Sequence, residues 1–299
     1  MKHIFIVNKI SGKGAGLDSV SLIADICQRK QIEHEIFITQ FPKHAKQIAQ
    51  EYTEKDDVCL YAVGGDGTVL EVLNGLNKNV PMAIIPAGSG NDFYRLIKEA
   101  DYDIEKIIED TIDAEITKID CAIANGMKFL NVTSIGIDSD VNFYASKLIR
   151  NTFITKGPAY ILSIIHNVII PCAKKMRVEI DGRVIEDEFL IATVMNGRYY
   201  GNGVPASPFA DVQDGYLDVI LARKCPVLTV YRCLVKYLSG KHLDDPHFEF
   251  IHAKHIRFEA NEALSMQSDG ENYMSKTLDI QVLEKSINFK APKYLNIIK

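Results

Sequence analysis

The chain has 299 residues, of which 47% are hydrophobic and 24% charged, enough apolar material for one large domain or two medium ones. A formal net charge of −5 lacks the basic excess with which nucleic-acid binders neutralise phosphates, so nucleic acid is not expected as a partner. The six cysteines include no C-x-x-C pair and sit among apolar neighbours, which implies reduced thiols and a cytoplasmic protein rather than a disulfide framework.

The first segment, MKHIFIVNKI, has a lysine and a short apolar run but no long hydrophobic region and no small-residue cleavage site. A first strand over residues 3–8 is therefore expected instead of a signal peptide. A glycine-rich loop follows, then an amphipathic helix over 17–29. Residues 34–40 read as a strand, 44–52 as a helix, 58–63 as a strand, 68–76 as a helix and 81–86 as a strand. Strands apolar on both faces that alternate with helices predict a mainly parallel sheet covered on both sides, a three-layer α/β domain.

Beyond residue 113 the texture changes to longer runs rich in Ile, Val, Phe and Thr, at 114–124, 175–181, 187–196 and 216–222, around a helical patch at 138–170. This predicts a second, mainly antiparallel β-sandwich-like domain. The expected division is 1–118 and 119–287. No repeat, low-complexity tract or Pro/Ser linker separates the two, so they should pack closely, with the chemistry in their cleft. The longest apolar stretch, 160–171, is broken by His166 and Asn167 and falls short of the ~20 residues of a membrane-spanning helix.

The strongest local signal is Gly64-Gly65-Asp66-Gly67-Thr68, between the strand at 58–63 and the helix at 68–76. At the carboxyl end of a parallel strand, glycines let the backbone approach a ligand, and the N–H groups of the helix start offer a phosphate site. An aspartate in such a cradle repels phosphate unless a cation lies between them, which assigns Asp66 to Mg²⁺, directly or through water. A bare G-G-D-G is equally well a capped strand-to-helix turn. The next strand, however, ends in a second loop of the same character, Pro86-Ala87-Gly88-Ser89-Gly90-Asn91-Asp92-Phe93, and the two should lie side by side. The loop Asn8-Lys9-Ile10-Ser11-Gly12-Lys13-Gly14 is a third candidate. It is not a Walker A loop, since Val7 stands where the first glycine belongs and Gly14 where Ser or Thr should follow Lys13.

In these segments the chain resembles the bacterial lipid kinases with the diacylglycerol kinase catalytic domain, whose relatives act on ceramide and sphingosine. The resemblance covers nearly the whole sequence. It continues through Ser134-Ile135-Gly136-Ile137-Asp138, Asn196-Gly197 to Gly201-Asn202-Gly203, Asp214-Gly215-Tyr216-Leu217-Asp218 and Asp269-Gly270-Glu271. It implies an ATP- and Mg²⁺-dependent kinase that phosphorylates the hydroxyl of diacylglycerol or a related lipid. Asn8, Ser11, Gly12, Ser89, Asn91 and Asp92 match nucleotide-site positions, and Gly64, Gly65, Asp66, Gly67 and Thr68 match the phosphate-binding turn, with Asp66 near the catalytic Mg²⁺. Asp214 matches a structural Mg²⁺ site completed by backbone carbonyls at the positions of Asp211 and Tyr216. Glu271 matches the general base, with Asp269 beside it. The resemblance also implies that residues 288–299 return to the first domain, that the protein meets its lipid peripherally at a membrane surface, and leaves a homodimer open.

An alcohol must lose its proton as it attacks a γ-phosphoryl group, and a carboxylate near Mg²⁺ can take it; in isolation Asp-Gly-Glu is simply an acidic hairpin tip. The sequence departs from the pattern at Lys9, where proline is usual, at Ser89, where threonine is commoner, and at Asn202, within a glycine run. Basic residues from Lys147 to Arg177 flank the apolar run and suit an anionic surface, although a core helix with solvated ends fits equally. His242, His247, His252 and His255 read as solvated surface residues instead of zinc ligands. Two alternatives remain: an NAD kinase-like phosphotransferase, which shares GGDGT, and a catalytically silent lipid- or nucleotide-binding protein.

Overall fold

The computed structural model describes residues 1–97, 103–151, 154–169 and 173–292. Its first half runs β1 (Lys2–Val7), α1 (Ala15–Arg29), β2 (His34–Ile38), α2 (His44–Gln50), β3 (Val58–Gly64), α3 (Asp66–Gly75), β4 (Met82–Pro86), α4 (Tyr94–Ile97) and α5 (Ile104–Asp113). β1 pairs in parallel with β2 and β3, and β3 in parallel with β4. Both faces of β1 are buried, as its unbroken apolar run requires. Ile4 and Ile6 pack with Leu60, Val72 and Leu73 on one side, and Phe5 and Val7 pack with Ile23, Tyr61 and Val63 on the other.

The second half comprises β5 (Ile116–Ala124), β6 (Met127–Phe129), β7 (Val132–Gly136), α6 (Ile137–Asn151), α7 (Lys156–Ile169), β8 (Lys174–Ile180), β9 (Arg183–Met195), β10 (Leu217–Arg223), α8 (Val227–Leu238), β11 (Phe248–Ala253), β12 (His255–Ser268) and β13 (Glu271–Lys290). Pairings among these strands are antiparallel. β13 joins the halves: it pairs with β12 and β5, and at its far end Phe289 pairs in parallel with Met82 of β4. The result is one continuous 13-stranded sheet. Of the tail expected to return to the first half, residues 288–290 lie against β4 and β5, and 293–299 fall outside the described residues.

The structure differs locally from the sequence reading in two places. The segment 247–258, which alternates as one strand, breaks at Lys254, whose backbone N–H bonds the Asp181 carboxylate at 3.0 Å and so turns the chain from β11 into β12. α8 was not singled out in the sequence although its pattern is amphipathic. It buries Val230, Cys233 and Tyr237, while Leu228 is 85% and Val235 69% exposed. Among the described residues no helix is long and apolar enough to cross a membrane.

Candidate active site

Three strand-end loops converge at the carboxyl edge of β1, β3 and β4, and their glycines are dictated by how closely the backbones approach. A Cβ on Gly12 would stand 2.3 Å from the Ala87 carbonyl oxygen, and one on Gly88 2.3 Å from the Cα of Gly65. Gly12 also has φ +56°, a left-handed conformation that side chains disfavour. Asn8 ties the first loop to the second by donating from Nδ2 to Thr68 Oγ1 at 3.0 Å. Asn91 closes the third loop on itself, accepting from Gly88 N at 3.0 Å and donating to Gly88 O at 2.9 Å. A Cβ on Gly65 would lie 3.6 Å from Ser11 Oγ. Ser89 makes no hydrogen bond within the described residues, and its role rests on the loop that carries it.

Asp66 opens α3 and accepts the Asp92 N–H at 2.8 Å on Oδ1. Burial raises its pKa, and the negative charge of Asp92 beside it adds to the rise. Asp92 accepts the Asn202 N–H at 2.9 Å on Oδ2, while its buried Oδ1 makes no hydrogen bond and has Arg95 Nε at 3.4 Å. Two enclosed carboxylates that repel one another, one with an unsatisfied oxygen, form a hard-oxygen donor set that fits Mg²⁺. Asn202 reaches this pair through its backbone N–H, so its departure from the glycine run leaves the contact intact.

β12 and β13 are joined by the two-residue turn Asp269-Gly270, with φ +44° and +88°, the type I′ geometry that an Asp-Gly pair favours. Glu271 is the first residue after it, paired through its backbone with Ser268, and its exposed side chain makes no hydrogen bond or ion pair to the described residues. Asp269 points the other way. Its carboxylate accepts the backbone N–H groups of Leu130 at 2.7 Å, Asn131 at 3.1 Å and Val132 at 2.9 Å, so its oxygens anchor the turn to the chain leading into β7. Burial pushes its pKa up to about 7, against those hydrogen bonds and with help from the Asp66 charge.

The stability that protonated Asp269 contributes is fully present below its ordinary pKa of 3.8 and is lost as pH rises toward about 7. Asp269→Asn should therefore flatten the pH dependence of the thermal midpoint across that window. The midpoint itself should be lower throughout, because an amide offers these N–H groups one acceptor oxygen instead of two. Melting curves of both proteins at a series of pH values check this.

The turn 211–216 caps itself: Asp211 Oδ1 accepts Gln213 N at 3.0 Å, and Asp214 Oδ1 accepts Tyr216 N at 2.9 Å. Burial raises the Asp214 pKa, with the Asp211 charge adding to it. Two acidic residues that sequence reasoning missed belong to this cluster. Asp120 holds the turn by accepting Gly215 N at 2.8 Å and Lys285 N, at 2.6 Å, where β13 bulges. The Glu284 side chain packs against Gly215. This gathering of carboxylate oxygens is of the kind that suits a hard cation.

One expectation is overturned. His242 is not solvated: it is fully buried between Tyr237 and Phe248, and burial lowers its pKa. His252 and His255 are exposed and pair with Asp218 and Asp279. Cys233, Asp245 and His247 come together, but Lys236 Nζ already neutralises Asp245 at 2.6 Å, so a zinc ion has no place there.

Comparison with known proteins agrees with this geometry. Residues 2–124 match the diacylglycerol kinase catalytic domain, and residues 131–291 match the YegS C-terminal NAD kinase beta sandwich-like domain. The chain is 30% identical to a Bacillus subtilis (strain 168) protein named "Putative lipid kinase YtlR", over 91% of this chain and 94% of that one. It is 24% identical to a diacylglycerol kinase of the same organism, over 89% and 88% of the two chains. A solved structure of a "putative diacylglycerol kinase" from Bacillus anthracis str. Sterne superposes with a TM-score of 0.80 at 28% identity, covering 98% of each chain.

Proposed function

The chain belongs to the bacterial diacylglycerol kinase family of lipid kinases, and on that premise we propose that it transfers the γ-phosphoryl group of ATP to the hydroxyl of diacylglycerol or a closely related lipid. Residues 1–118 form the nucleotide half in this reading and 119–287 the lipid half. What carries it is the meeting of the two halves: Asp269, on the turn that presents Glu271, holds residues 130–132, and Leu130 packs in the same core as Val69 and Phe93 of the segments that carry Asp66 and Asp92.

The residues divide the work. The backbone N–H groups of the loops at 11–12, 64–68 and 88–91 receive the phosphates. Asp66 and Asp92 would hold Mg²⁺, which when bound neutralises charge on the β- and γ-phosphates. Glu271 takes the proton of the lipid hydroxyl as that oxygen forms its bond to the γ-phosphorus; the bond from γ-phosphorus to the bridging oxygen breaks, and its electron pair leaves with ADP. Asp211, Asp214 and Tyr216 would hold a second, structural Mg²⁺.

A bilayer-facing surface supports a membrane-resident acceptor. α7 and α8 touch, and together expose Ile161, Ile165, Leu228, Tyr231, Val235 and Leu238. Arg150, Lys175 and Lys241 lie on neighbouring segments, an arrangement suited to peripheral binding at an anionic leaflet. α8 also reaches the site, since Tyr237 OH lies 3.2 Å from Tyr200 OH in the segment that holds Asp92.

The test is transfer of labelled γ-phosphate from MgATP to diacylglycerol, monoacylglycerol, ceramide and sphingosine in mixed micelles, with NAD⁺ in a parallel reaction. A labelled lipid is the expected product. Labelled NADP⁺ would move the function to an NAD kinase-like enzyme, and no product with either acceptor would leave a silent binding protein.

A further inference from the structure

The turn that presents Glu271 is held on one side by Asp269 and on the other by a single buried amide. Gln267, 2% exposed near the end of β12, accepts the Gly270 N–H on Oε1 at 3.0 Å and donates from Nε2 to Ser134 Oγ at 2.9 Å. Ser134 lies near the Asp138 carboxylate and favours its charged form. Asp138 also accepts Thr193 Oγ1 at 3.0 Å and Tyr200 OH at 3.3 Å. Tyr200 lies two residues before Asn202, whose N–H holds Asp92, whose own N–H holds Asp66. Two sets of polar contacts therefore lie between the Glu271 turn and the carboxylates of the nucleotide site, one ending at Ser134 and one centred on Asp138.

Packing does not explain these contacts. A Cβ on Gly270 would meet nothing within 4 Å, so no side chain wedges the turn in place; the backbone of Glu271 pairs with Ser268, but its side chain has no hydrogen bond to the described residues. Burying an amide and a hydroxyl side by side is costly unless both are satisfied, and an apolar pair of similar shape would serve stability as well. What the polar pair adds is direction, since its two hydrogen bonds define where the Gly270 N–H must point.

We propose that Gln267 is a positioning residue that acts through the Gly270 N–H to fix the Glu271 carboxylate against the site containing Asp66. The proposal rests on Glu271 being the base, and the experiment separates the two. Gln267→Met keeps length and volume but removes both hydrogen bonds. With lipid in mixed micelles, kcat should fall about tenfold or more while KM for MgATP stays within about twofold. Placed on top of Glu271→Gln, the same change should cost nothing further, because there is no base left to misplace.

An unchanged kcat would overturn the proposal. So would an equal factor of loss in the Glu271→Gln background, or a parallel decline of kcat, MgATP affinity and thermal midpoint, which marks a merely structural residue. If Gln267→Met does not fold, Ser134→Ala, which deletes one oxygen, provides the same reading: a smaller loss, about threefold, that also vanishes on Glu271→Gln. Failure of the base assignment shows separately, as Glu271→Gln alone retaining the wild-type rate, and it would take the proposal with it.

Discussion

Glu271→Gln is expected to lower phosphoryl transfer by about 10²–10⁴-fold, the span that general base catalysis supplies, and to leave MgATP binding within about twofold. The exchange is nearly isosteric and removes only the ability to take a proton. The Glu271 side chain is exposed and bonded to no described residue, so the fold should tolerate its replacement within about 0.5 kcal/mol. Loss of rate with an intact melting curve and intact calorimetric MgATP binding would identify the group that acts on the acceptor. Asp269→Asn provides the contrast, because that carboxylate is committed to the backbone of residues 130–132 and its loss should be felt first as stability. Retention of full activity by Glu271→Gln would mean that another group, or the phosphate itself, accepts the proton.

The nucleotide side of the site was legible because its chemistry is written in local punctuation. Gly12, Gly65 and Gly88 stand where one backbone passes close to another, and Gly64 where the Thr68 side chain leaves no room for a Cβ. Asp66 and Asp92 sit inside those same loops. The acceptor side was legible only where a short turn signal, Asp-Gly, coincided with the carboxylates. Gln267, Ser134 and Asp138 were not singled out for these roles because their partners are more than 50 residues away in the chain for two of their links. Asn202 reaches Asp92 through a backbone N–H, a contact that side-chain identity does not encode. Asp120, in the middle of β5, was not singled out; it anchors two backbone segments that meet only in three dimensions. His242 was misjudged for the converse reason: a histidine among aspartates in sequence lies among aromatic rings in space.

Gly67 separates what the glycines do for the fold from what they do for the ligand. Gly64 and Gly88 are explained by the protein itself, since a Cβ on the first would stand 2.4 Å from Thr68 Oγ1 and on the second 2.3 Å from Gly65 Cα. Gly67 is not. It lies in the first turn of α3 without a left-handed φ, and a Cβ there would meet nothing within 4 Å. Glycine in a helix is less favourable than alanine by up to about 1 kcal/mol, so on stability alone this position should not be glycine. Gly67→Ala is therefore expected to raise the thermal midpoint by about 2 °C and to weaken MgATP binding about tenfold or more, a difference of about 1.4 kcal/mol, by filling space that a phosphate needs against the helix N-terminus. Gly88→Ala should instead lower stability and affinity together, because its methyl group meets backbone. Calorimetric unfolding and MgATP titration of the two variants read both signs. If Gly67→Ala is more stable and binds MgATP as well as the wild type does, the phosphates do not lie over the first turn of α3.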